Sequence, residues 1–200
     1  IKQLQPSPRT DDSSILTKHR LTTDLAKELI NGAYGKNKYE GQNNVVKFSD
    51  FYDFVSRKYK KYSSLIEGKK FTSIDFFNEI VADTMTGRVA DTLSAMSVNQ
   101  PDKYELIVKQ PTTFLTQVAR LSILPAEANS IFDKASLIPG RNVPTLKLFN
   151  MLKKLQTVSK VMFQVHGSPK LEDNVLLFIL RQKMHPAIRA KVEADMVEKS

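Results

Sequence analysis

Nine residues, S56-R-K-Y-K-K-Y-S-S64, hold four cations and two tyrosines. Cations can meet phosphates, and aromatic faces can carry unpaired bases, so the stretch has the composition of a nucleic-acid surface. A helix with one wet side and one core side would have the same composition. At about 100° per residue the positions separate. Phe51, Phe54, Val55, Tyr62, Leu65 and Ile66 share a broad apolar face, with Tyr52 and Tyr59 at its edge and Lys58 inside it. Arg57, Lys60 and Lys61 point the other way. The tyrosines are therefore expected to pack on the core, while the three cations are either phosphate contacts or a solvated face. Lys69 and Lys70 add charge just past the helix end, where cations also suit the helix dipole.

A second cationic face lies in 144–165, PTLKLFNMLKKLQTVSKVMFQV, which the pattern predicts to be helical with Pro144 as its opener. Leu148, Phe149, Met151, Leu152, Leu155, Met162 and Phe163 fall on one side. Lys147, Lys153, Lys154 and Lys160 gather on the other, and no acid of the segment dilutes them. Solvated faces ordinarily mix signs, so this one is a candidate phosphate track. A third group, Arg181, Lys183, His185, Arg189 and Lys191, surrounds Pro186 and follows the run V175-L-L-F-I-L180, expected to be buried all round. Arg88 and Arg120 stand alone on apolar segments, where an arginine is ordinarily half of a core-edge ion pair, though guanidinium also forks phosphate well.

Catalytic constellations are weaker. Asp75, Glu79 and Asp83 follow at i, i+4 and i+8, a row that a divalent-metal nuclease could use and that a solvated helix face also produces. His19, His166 and His185 have no partner at metal-ligand spacing and read as structural, so no metal site is expected. The chain has no cysteine, which excludes thiolate chemistry and disulfides. The glycines of N31-G-A-Y-G-K-N-K-Y-E-G41 do not have the phosphate-loop spacing. No catalytic residue and no cofactor is expected, and the apolar run at 175–180 is too short to cross a bilayer.

These side chains need elements to hold them. Two hundred residues, 41% hydrophobic and 26% charged, can bury a substantial core. Thirty Lys and Arg against 21 Asp and Glu give a net charge of +9, which favours an anionic partner. A start at Ile1 reads as a trimmed chain. Residues 1–14 have no helical period and are expected to form an extended arm that docks through Ile1 and Leu4. A helix is expected from Thr22–Asp24, then an Asn- and Gly-rich loop to residue 44. From Val45 helical patterning dominates, cut by Pro and Gly into roughly eight helices. N44-V-V-K-F48 alone carries a strand signal. The fold class is expected to be mostly all-α, with a waist near residues 99–112 or 138–144; the first of these divides the chain into helical lobes at 15–110 and 111–200.

N44-V-V-K-F-S-D50, G87-R-V-A90 and K103-Y-E-L106 resemble, in order and spacing, three patches of the nucleocapsid proteins of emaraviruses, segmented negative-strand RNA viruses of plants. Gly87 and Leu106 depart from that pattern, which has a polar residue and an aromatic there. The resemblance implies two helical lobes around a basic groove for single-stranded RNA, with Lys47 and Arg88 near it. It also implies homo-oligomers built by arm exchange, service to a viral polymerase, and a place in the virion and host cytoplasm. Membrane insertion is not expected. The alternatives are a Gag-like or other capsid assembly protein, and the nuclease using Asp75, Glu79 and Asp83.

Overall fold

A computed structural model describes residues 38–67 and 72–198. Ten α-helices lie in those residues: α1 (Val45–Glu67), α2 (Ser73–Glu79), α3 (Gly87–Asn99), α4 (Pro101–Ile107), α5 (Pro111–Ser122), α6 (Pro125–Asn129), α7 (Ile131–Leu137), α8 (Thr145–His166), α9 (Asp173–Lys183) and α10 (Pro186–Glu198). Ile80–Thr84 continues α2 as a π-helical turn. The described chain is all-α, and its one β feature is an isolated bridge between Tyr39 and Met85. The arm with Ile1 and Leu4, the helix expected from Thr22, and Lys69 and Lys70 lie outside the described residues.

Helix starts follow from the punctuation of the sequence. Proline stands at the first position of α4, α5 and α6, where its missing N–H is not needed. Asn44 is the cap of α1: its side-chain oxygen accepts the Lys47 backbone N–H at 2.9 Å. The Val45 N–H is taken by the Glu127 carboxylate at 3.1 Å, and Asn43 accepts the Leu124 N–H at 2.8 Å. Residues 44–48 therefore form a helix start and not a strand, because Asn44 and the distant Glu127 carboxylate satisfy orphan N–H groups there. Gly167, at φ +68°, closes α8 in the left-handed conformation.

α8 is the centre of the fold, packing against α1, α5, α6, α7 and α9. Twenty-two residues long, it spans about 33 Å. Leu148, Leu152, Leu155, Val158 and Met162 are buried along it, joined by the polar Gln156 and Ser159. The Ser159 hydroxyl donates to the Gln156 carbonyl at 2.7 Å and accepts the Leu171 N–H at 2.9 Å, so its burial leaves no unmet group. α5, which opens the expected second lobe, packs on α1, α3 and α4 as well as on α8.

Aromatic side chains knit α1 to its neighbours. Phe51 stacks on Tyr39 with ring centres 4.2 Å apart, and Tyr62 meets Phe76 at 5.3 Å. Tyr59 lies edge-on to Phe76 at 5.3 Å and stacks on Phe77 at 5.6 Å. Phe77 continues to Phe114 at 4.5 Å. Each buried ring contributes roughly 2 kcal/mol from lost apolar surface, with a further fraction from ring geometry.

Candidate nucleic-acid interface

The two cationic helices meet side by side. α1 and α8 enclose a shallow cleft of about 410 Å³, lined by Tyr52, Asp53, Arg57, Asn150, Lys153 and Lys154 among others. Arg57, Lys153 and Lys154 are thus brought together from positions about a hundred residues apart. Lys60, Lys61, Lys147 and Lys160 are exposed outside the cleft lining and make no ion pair among the described residues. Lys58, inside the apolar face as expected, is half-buried, and burial lowers its pKa, helped by Lys61 and Arg57.

The lysine face of α8 is diluted after all, by acids from other helices. Lys154 lies 3.3 Å from Asp50 and 3.7 Å from Asp53 of α1, and Arg57 donates to Asp53 at 2.9 Å. Lys153 lies 3.7 Å from Asp173 at the start of α9 and donates to Gln156 at 2.9 Å. Gln156 in turn donates to Asp173 at 2.5 Å. These contacts hold the Asp173 carboxyl below the usual aspartate range, the Gln156 bond first and the Lys153 charge second. All these pairs face solvent at least in part, so each is weak and can be exchanged for a phosphate at small cost.

Tyr62 is buried and Tyr59 half-buried against Phe76 and Phe77, so both tyrosines belong to the core side. Lys47 and Arg88 are exposed and line no part of the α1–α8 cleft. Of the apolar members of the three short patches, Val45, Phe48, Val89, Ala90 and Tyr104 are buried, whereas Val46 and Leu106 are exposed. Tyr104 donates to Asn78 at 2.9 Å, and burial pushes its phenol up to about 12. Gly41, at φ +67°, lies against Val89: a Cβ there would sit 2.4 Å from Val89 Cγ2.

The group around Pro186 has structural duties. Arg181 donates to Glu193 at 2.5 Å, and Arg189 lies 3.5 Å from the same carboxylate. Lys183 donates to the Ser136 and Ile138 carbonyls at 2.5 and 2.6 Å, closing the end of α7. His185 Nδ1 accepts the Ala187 N–H at 3.2 Å at the start of α10. The run at 175–180 is only half buried: Leu176, Ile179 and Leu180 face inward, but Leu177 and Phe178 are 52% and 62% exposed. Leu177, Phe178 and Arg181 line a hollow of about 470 Å³ with Arg189 of α10, which flanks this side of α9 without burying it.

The carboxylate row also resolves. Asp75 forms a capping box with Thr72, accepting its hydroxyl at 2.7 Å, and the π turn after Glu79 shifts Asp83 off the α-helical register. No group of three acidic or histidine residues suited to a metal ion occurs among the described residues. No described helix is long and apolar enough to cross a membrane.

Sequence reasoning missed a second hollow, of about 430 Å³, where α4, α5 and the end of α8 meet. Lys103 and Arg120 line it. Arg120 was expected in an ion pair, as was Arg88; both are exposed and neither has a carboxylate partner among the described residues. The missed signal was the face Thr113, Thr116, Gln117 and Arg120, polar at helical spacing on an otherwise apolar helix. No protein-family model matches the chain, and neither does any curated protein or solved structure.

Proposed function

We propose that this protein is a nucleoprotein that coats single-stranded RNA without regard to sequence, as the resemblance to emaravirus nucleocapsid proteins implies. The observation that carries the reading is the meeting of Arg57 with Lys153 and Lys154 across the α1–α8 cleft, flanked by the free cations Lys60, Lys61, Lys147 and Lys160. Phosphates exchange for the surface carboxylates of Asp50, Asp53 and Asp173, and counterion release supplies the affinity. Because no base-reading device is needed, any sequence is held.

On this reading the protein assembles as a homo-oligomer by arm exchange through Ile1 and Leu4, serves a viral polymerase, and acts in the virion and host cytoplasm. The test is the nucleic acid that copurifies with the chain. The reading expects bound RNA of mixed sequence that resists ribonuclease and leaves in high salt. Protein that never retains RNA in low salt contradicts it.

One observation favours a second reading, a capsid assembly protein. Leu177 and Phe178 on α9, with Ile188 and Val192 on α10, are large apolar side chains left exposed. Helix-face assembly would bury them, and RNA-free shells in the same preparation would select that reading.

A further inference from the structure

The hollow between α4, α5 and α8 has the chemistry of a nucleotide site. Lys103 and Arg120 stand on its rim, both exposed and both without an ion-pair partner among the described residues. This contrasts with the α1–α8 cleft, where all three lining cations already face carboxylates. No carboxylate lines the hollow. Its remaining polar groups are neutral: the carboxamides of Gln117 and Gln164, which make no hydrogen bond among the described residues, and the hydroxyls of Thr112, Thr113 and Thr116. The Thr116 hydroxyl donates to the Thr112 carbonyl at 2.6 Å and keeps its lone pairs for an incoming donor. Leu106, 59% exposed, supplies an apolar surface beside them.

A cation pair, free carboxamides and an apolar patch match the three parts of a nucleotide. Arginine and lysine suit phosphate, a carboxamide that offers both donor and acceptor pairs with the edge of any base, and an aliphatic side chain covers the sugar or base face. The hollow is also on the route of a chain leaving the cleft. Lys153, Thr157, Lys160 and Gln164 follow at i, i+4, i+7 and i+11, an outward-facing line of α8 about 16 Å long. Its first two members line the cleft and its last lines the hollow.

We infer that this hollow binds one phosphorylated nucleoside, with the phosphate between Lys103 and Arg120 and the base against Gln117 and Gln164. The identity of that nucleotide as a unit of RNA rests on the function proposed above; the hollow's chemistry does not. The test is amide NMR of the full chain titrated with uridine 5′-monophosphate, uridine and inorganic phosphate to about 10 mM, and with a uridine decamer.

The monophosphate should shift the amides of residues 112–120 and 164. Uridine and phosphate alone should each bind about ten-fold more weakly, since each lacks one half of the contacts. K103Q/R120Q, at two exposed positions without intramolecular bonds, should weaken the monophosphate about ten-fold, and K153Q/K154Q/K160Q should not. Phosphate acting as well as the monophosphate would make this an adventitious ion only, and overturn the inference. Silence at 112–120 would overturn it as well. A decamer that binds with those amides silent sinks the hollow and spares the RNA reading. A monophosphate that binds where the decamer does not keeps the hollow and sinks the RNA reading.

Discussion

Lys154 of α8 lies 3.3 Å from Asp50 of α1, across 104 residues of sequence. The contact bridges two basic helices that their apolar faces already hold side by side, and it engages one of the cations that the proposed function assigns to RNA. If the cleft holds RNA as proposed, the acids of α1 tune it: they pair with Lys154 and Arg57 when RNA is absent and compete with phosphate when it arrives. Neutralising them by D50N/D53N should therefore raise affinity for single-stranded RNA about three-fold or more at roughly 0.1 M salt. Fluorescence anisotropy with a labelled oligonucleotide measures it. An unchanged or lowered affinity would mean that these carboxylates do not face the bound strand.

Tyr59 separates packing from base stacking. Its ring lies on Phe76 and Phe77, so Y59A should lower stability by about 2 kcal/mol, less than the cost of a fully buried ring. RNA affinity of the folded variant should stay within about two-fold, whereas loss of a base-stacking ring costs more than that. Y59F should be silent in both denaturant melts and binding.

Gly41 is a point of close approach between the loop before α1 and the start of α3. G41A places a methyl 2.4 Å from Val89 Cγ2 and forces alanine to a φ of +67°. The expected loss is about 2 kcal/mol or more, read from urea unfolding. Adding V89A should recover only a fraction of the loss, because the Cβ of residue 89 would still lie 2.8 Å from the new methyl and the backbone strain persists.

Asp173 carries the pH dependence of the α8–α9 junction. Its folded-state pKa lies below the usual value, chiefly through the Gln156 bond and next through Lys153. A depressed carboxyl stabilises the fold above its unfolded pKa, and that contribution is lost as pH falls through the folded one. Carbon-detected NMR titration should give Asp173 a midpoint below that of an unstructured aspartate. K153Q should raise it, and Q156L should raise it further. A midpoint indifferent to both would mean that the triad does not form in solution.

The helical class, the inward turn of Tyr62 and the capping role of proline were legible because each depends on local spacing. α1 illustrates the limit. The periodicity placed Arg57 and Lys61 outward and Lys58 inward, but nothing local announced that Asp50 and Asp53 would reach Lys154. Asp53 and Arg57, at i and i+4, did signal their own pair. The lysines of α8 looked undiluted because their acids come from α1 and α9, and a pairing between helices has no period to read. The same blindness hid the hollow, whose Lys103, Arg120 and Gln164 sit on three helices. The exposed Leu177 and Phe178 were misread because an apolar run does not say how many of its sides find a neighbour. Asn44 overrode the β-branched valines after it by capping, which propensity alone does not weigh.

The central claim is that the outward lysines of α8 hold phosphates, and the salt dependence of RNA binding tests it most directly. Affinity for two unrelated single-stranded RNAs would be measured across a salt series for the unmodified protein and for K153Q/K154Q/K160Q. Losing three phosphate contacts should flatten the log–log slope by about 2 and weaken both RNAs alike. An unchanged slope and affinity would contradict the account, and a loss confined to one RNA would contradict binding without regard to sequence.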